Sequence, residues 1–185
     1  MSFHSGSKIL VVFYSRSGAT RTLAHDIARR CNADVEELHD VRSRSGLWGY
    51  LRSGREAIRA TSPEIAALTK DVRDYETLVI GTPVWASHMS SPLRTYLNQV
   101  LRQSTLPKRL AFFCTMGGNG ADAVFAELST LTKRSPIATL ALSTREVTQH
   151  RYAQQLESFA RDVVPPEAPV ASTSTEQFQP VGARI

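Results

Sequence analysis

The sequence predicts an α/β protein: a three-layer, doubly wound fold on a five-stranded parallel sheet. Short apolar runs of strand length alternate with segments of helical period. The runs Ile9-Leu10-Val11-Val12-Phe13 and Leu110-Ala111-Phe112-Phe113-Cys114 lack any polar alternation, as strands covered on both faces do. Three of the runs break into polar, glycine-containing loops.

The elements follow in order. Residues 8–14 read as a buried central strand, and 19–31 as a helix with Thr22, Leu23, Ile27 and Ala28 spaced to face the sheet. Residues 34–38 form a short strand toward the edge, and 76–81 the third strand. A helix is expected over 91–102, with Pro92 in its first turn and Leu93, Tyr96, Leu97, Val100 and Leu101 at core spacing. Residues 109–114 are the fourth strand, 121–133 a helix, 137–142 the fifth strand and 149–163 the closing helix, stopped by Pro165-Pro166. One domain over 1–164 results. Residues 165–185 are rich in Pro, Ala, Ser and Thr without a period, which predicts a mobile tail.

Composition narrows the class. A chain of 185 residues can bury a core of ordinary size. Its longest apolar runs fall well short of the ~20 residues that span a bilayer, so no membrane insertion is expected. The start, residues 1–8, lacks the hydrophobic segment of a secretory signal, which predicts a cytoplasmic location. Cys31 and Cys114 have no metal-ligand spacing and read as reduced core thiols, and no metal site is expected. The net charge of +5 raises nucleic-acid binding, but no nucleic-acid motif accompanies it, and none is expected.

The chemistry lies in the loops. Tyr14-Ser15-Arg16-Ser17-Gly18-Ala19-Thr20-Arg21-Thr22 joins a buried strand to a helix. The first N–H groups of a helix lack internal partners and carry the positive end of its dipole, so this turn suits an anion. Ser15, Ser17, Thr20 and Thr22 add hydroxyls, and Gly18 admits close approach. The alternative is a solvated Ser/Thr cap. A nucleoside triphosphatase would need a lysine before the Ser or Thr at the loop's end, and a dinucleotide fold three spaced glycines. A low-molecular-weight phosphatase would need a cysteine here, and this loop has none of these features. A second loop, Gly81-Thr82-Pro83-Val84-Trp85-Ala86-Ser87-His88, and a third, Thr115-Met116-Gly117-Gly118-Asn119-Gly120, also follow predicted strands. Ligands in open α/β sheets sit at the carboxyl ends of strands. One loop can take a phosphate while the other two flank a flat ring.

Through "FYSRSGATRTLA", "VIGTPVWASHMSSPLRTYL" and "FCTMGGNG" the chain resembles the flavodoxin family, over roughly residues 8–164. The resemblance implies strand order 2-1-3-4-5 and one noncovalently bound FMN. It assigns Ser15, Arg16, Ser17, Gly18, Ala19 and Thr20 to the phosphate. Pro83, Val84, Trp85 and Ala86 go to one side of the isoalloxazine, and Thr115, Met116, Gly117, Gly118, Asn119 and Gly120 to the other. No catalytic side chain is required beyond the flavin. The third loop has no tyrosine, which many flavodoxins stack on the ring, and the chain is basic where flavodoxins are usually acidic.

The implied function is electron transfer through FMN with a redox partner protein. The alternative is an FMN-dependent NAD(P)H oxidoreductase that reduces a quinone or another small acceptor. A flavin-free binding module is the reading from a different class. Residues 41–60 fall outside the minimal pattern: Arg42, Arg44, Arg52, Arg55 and Arg59 stand against one acid, Glu56, with Trp48 and Tyr50 among them. This stretch reads as a solvated basic face, or as a lid over the site.

Overall fold

The structure, a computed structural model, describes residues 8–40 and 64–164. The Arg-rich stretch 41–60 and the tail 165–185 lie outside the described residues.

Five parallel strands form one sheet in the order 2-1-3-4-5. They are β1 (Ile9–Tyr14), β2 (Asp34–Leu38), β3 (Thr77–Pro83), β4 (Arg109–Met116) and β5 (Ala138–Ser143). The helices are α1 (Ala19–Cys31), α2 (Ser91–Gln103), α3 (Ala121–Thr132), α4 (Thr144–Thr148) and α5 (Ala153–Val163). The fold class and strand order are those expected.

The sheet separates two apolar cores, and the sequence of β1 explains why. Alternate side chains point to opposite faces. Leu10, Val12 and Tyr14 join Leu78, Ile80 and Phe112 in the core under α2 and α3. Ile9, Val11 and Phe13 join Val79, Ala111 and Phe113 in the core under α1 and α5. Every residue of β1 is therefore buried. Gly81 lies in register between Phe13 on β1 and Phe113 on β4. A Cβ on Gly81 would stand 2.0 Å from the Phe113 ring, so this glycine makes room for an aromatic.

Several boundaries differ from expectation. β3 runs on to Pro83 and β4 to Met116, because pairing continues through Thr82–Cys114 and Pro83–Thr115. Val84 N extends this by donating to the Thr115 carbonyl at 2.8 Å. Pro83, Thr115 and Met116 are thus strand residues rather than loop residues. In α1 the buried positions are Thr20, Leu23, Ala24, Ile27, Ala28 and Cys31, while Thr22 is exposed. Leu101 of α2 is also exposed.

The closing helix expected over 149–163 begins only at Ala153, and a short helix that was not expected, α4, precedes it. Ser143 and Glu146 form a reciprocal capping box that starts α4: Glu146 N donates to Ser143 Oγ at 3.1 Å, and Ser143 N to Glu146 Oε2 at 2.7 Å. His150, at φ 52°, breaks the chain before α5 begins.

Both cysteines are buried core residues. Burial pushes the Cys31 thiol up to about 11 and the Cys114 thiol up to about 12. Both are protonated at neutral pH and poor nucleophiles. A chromogenic disulfide reagent at pH 8 is expected to find no fast thiol in the native protein and to titrate both cysteines after denaturation. A rapid native reaction would mean that one of them is reachable.

Candidate functional site

The carboxyl ends of β1, β3 and β4 carry the three loops, at the point where strand order turns back between β1 and β3. Flavodoxin-like sheets themselves exemplify the rule that ligands sit at such a switch point.

The first loop leaves open space at the start of α1. Gly18 caps α1 in the left-handed region, at φ 101°, and a Cβ there would meet nothing within 4 Å. Ser15 Oγ accepts from Gly18 N and Arg21 N, each at 3.2 Å. It organises the loop rather than facing solvent. The N–H groups of Ala19 and Thr20, between those two donors, have no bonded partner among the described residues. Ser17 is exposed, and Arg16 and Ala19 are half-buried. Arg21 is occupied elsewhere: its guanidinium pairs with Glu37 of β2, Nε donating at 2.9 Å and Nη2 at 2.7 Å. That pair ties the first turn of α1 to the sheet.

The second loop is a tight reversal. Trp85 N donates to the His88 carbonyl and His88 N to the Trp85 carbonyl, both at 2.9 Å. Ala86 and Ser87 between them sit at φ 49° and 62°. Positive φ at both central positions is the type I′ geometry, which asks for Gly or Asn. Two L residues with a Cβ hold it here because the flanks are fixed. Ser90 N donates to Thr82 Oγ1 at 2.9 Å, and Met89 N donates to Glu127 Oε2 of α3 at 2.8 Å. Glu127 also pairs with Arg94 of α2 and lies 3.6 Å from His88 Nδ1.

Trp85 does not project freely from this loop. It is 7% exposed and lies edge-on to Tyr14, with ring centroids 5.5 Å apart at 83°. The tryptophan belongs to the core under α2 and α3. Pro83 and Val84 are half-buried, and Ala86 is exposed.

The third loop meets the other two. Gly120 caps α3 at φ 99°, and a Cβ on it would stand 2.9 Å from Val84 Cγ1 and 3.1 Å from Ser87 Cα. Gly117, Gly118 and Asn119 are exposed, and Cβ atoms on the two glycines would meet nothing within 4 Å. Met116 is half-buried. Thr115 is buried, and its Oγ1 lies 2.7 Å from Thr20 Oγ1. The structure therefore brings all three predicted loops to one end of the sheet.

The supports were not read from the sequence: Thr82, Ser90, Arg94 and Glu127. A signal existed for Glu127. It sits at i+3 from Val124 and next to Leu128, on the packing side of α3, where a carboxylate needs a partner. Among the described residues no group of His, Cys, Asp and Glu is arranged to hold a metal. None of their helices is long and apolar enough to cross a membrane.

The comparisons agree with this architecture. The flavoprotein in complex with FMN from Lactobacillus acidophilus NCFM superposes with a TM-score of 0.62 at 22% identity, covering 78% of this chain and 98% of that one. A protein from Trichlorobacter lovleyi named NAD(P)H dehydrogenase (quinone) is 29% identical over 100 residues, 50% of this chain and 48% of its own. NAD(P)H dehydrogenase (quinone) 3 from Rhizobium meliloti is 33% identical over 102 residues, 50% of this chain and 43% of its own. The chain thus spans about half the length of the curated relatives it matches. The family model described as Flavodoxin matches residues 8–157, from β1 into α5 and across all three loops, and the chain belongs to the flavodoxin family.

Proposed function

We propose that this protein binds one FMN noncovalently at the three loops and works as a redox protein through it. The observation that carries the reading is the first turn of α1, where the N–H groups of Ala19 and Thr20 stand without partners beside an open glycine. A terminal phosphate fits that turn, with Ser17 and Thr20 as hydroxyl donors and Arg16 as the nearby cation. The flat ring is placed between 83–86 and 115–120, whose exposed tips carry Ala86, Gly117, Gly118 and Asn119. When bound, FMN accepts and releases a hydride or single electrons. The chain's own part is to bind the phosphate, orient the ring and hold the flanking loops still.

The burial of Trp85 gives it a supporting role in this proposal: it holds the second loop in place from below. Electron transfer to a partner protein in the cytoplasm is the principal reading. The names of the curated relatives favour a second, a reductase that takes hydride from NAD(P)H and passes electrons to a quinone. Steady-state NAD(P)H oxidation by FMN-loaded protein, with and without a soluble quinone, separates the two. Quinone-dependent turnover selects the reductase. A flavin reduced only by a protein donor selects the carrier.

A further inference from the structure

Thr115 bonds to both neighbouring loops. Its carbonyl accepts from Val84 N at 2.8 Å, and its hydroxyl lies 2.7 Å from that of Thr20. Both hydroxyls are buried, Thr20 at 2% exposure and Thr115 at 4%. Either can donate to the other.

The proton count decides which direction suits an anion. A threonine hydroxyl has one proton and two acceptor positions. In this pair one proton lies between the oxygens and one is left over. If Thr20 donates, the leftover proton is on Thr115, whose Oγ1 has no other bonded partner among the described residues. If Thr115 donates, the leftover proton is on Thr20, in the first turn of α1 beside the unpaired N–H groups. A hydroxyl that accepts one hydrogen bond is also a better donor of the next.

From this we infer that Thr115 is a positioning residue for the phosphate, not a wall of the ring site. It donates to Thr20 Oγ1 and so turns the Thr20 proton toward an anion at the start of α1. The inference rests on the FMN reading above and assigns Thr115 a side within it. No bond is made or broken: one rotatable proton is oriented.

The test uses two ligands that differ only in the phosphate. FMN and riboflavin are titrated into flavin-free wild-type protein and into Thr115→Val, Thr115→Ala and Thr115→Ser, with flavin fluorescence as the readout. Valine keeps the shape of threonine without the hydroxyl, and alanine removes any misfit. Both are expected to weaken FMN about tenfold while riboflavin stays within about twofold. Serine restores FMN binding. Equal loss of both flavins, no loss of FMN, or no recovery with serine would overturn the assignment. Wild-type protein that binds neither flavin fails the FMN reading itself, a separate outcome.

Discussion

Trp85→Ala is expected to cost the flavin-free protein roughly 3–5 kcal/mol of folding stability, the usual penalty for emptying a large aromatic site. The reason lies in where the ring sits. Trp85 is 7% exposed and packs edge-on against Tyr14, the last residue of β1. Met89, a few residues on, is fully buried in the same core. Removing the indole leaves a cavity between the ends of β1 and the second loop, which loses its floor. Urea denaturation without flavin measures this directly. Flavin affinity should fall as well, because the reversal over 85–88 is no longer supported from beneath. An unchanged urea midpoint combined with lost FMN affinity would give the opposite answer: the indole would then serve the ring alone.

Gly81→Ala should lose about 1–3 kcal/mol, the range for forcing extra volume into a packed core. The new Cβ would stand 2.0 Å from Phe113 Cζ and 2.3 Å from Cε1. The ring cannot retreat, because Phe113 is fully buried and Gly81 is paired with Phe13 on its other side. Thermal melts of the variant should shift down by several degrees. Adding Phe113→Leu should make the pair less damaging than the sum of the singles, because they share one contact. Strict additivity would show that the collision is relieved elsewhere.

Much of this molecule is legible in its sequence. Uninterrupted apolar runs at 9–13 and 110–114 fixed strands buried on two faces, and the alternation with helices fixed a parallel sheet. The three loops were visible as hydroxyl- and glycine-rich breaks after those runs. Long-range pairing was not legible. Pairing of Pro83 with Thr115 extends two strands into what local composition marks as loop. The packing of Trp85 on Tyr14 joins residues 71 positions apart, so its burial does not show in the local sequence. The capping box at Ser143 and Glu146 was within reach of local reading, since Ser-x-x-Glu is a helix-start pattern. It was masked by the strong helical period that follows. The clamp on the second loop needed the approach of α3, where Glu127 takes Met89 N and Arg94.

The most direct test of the central claim is a visible absorbance spectrum of the purified protein after incubation with FMN and desalting. Bands of bound oxidised flavin at one FMN per chain are the predicted result. A colourless protein, with free FMN recovered entirely in the small-molecule fraction, would contradict it and leave the three loops as a flavin-free binding surface.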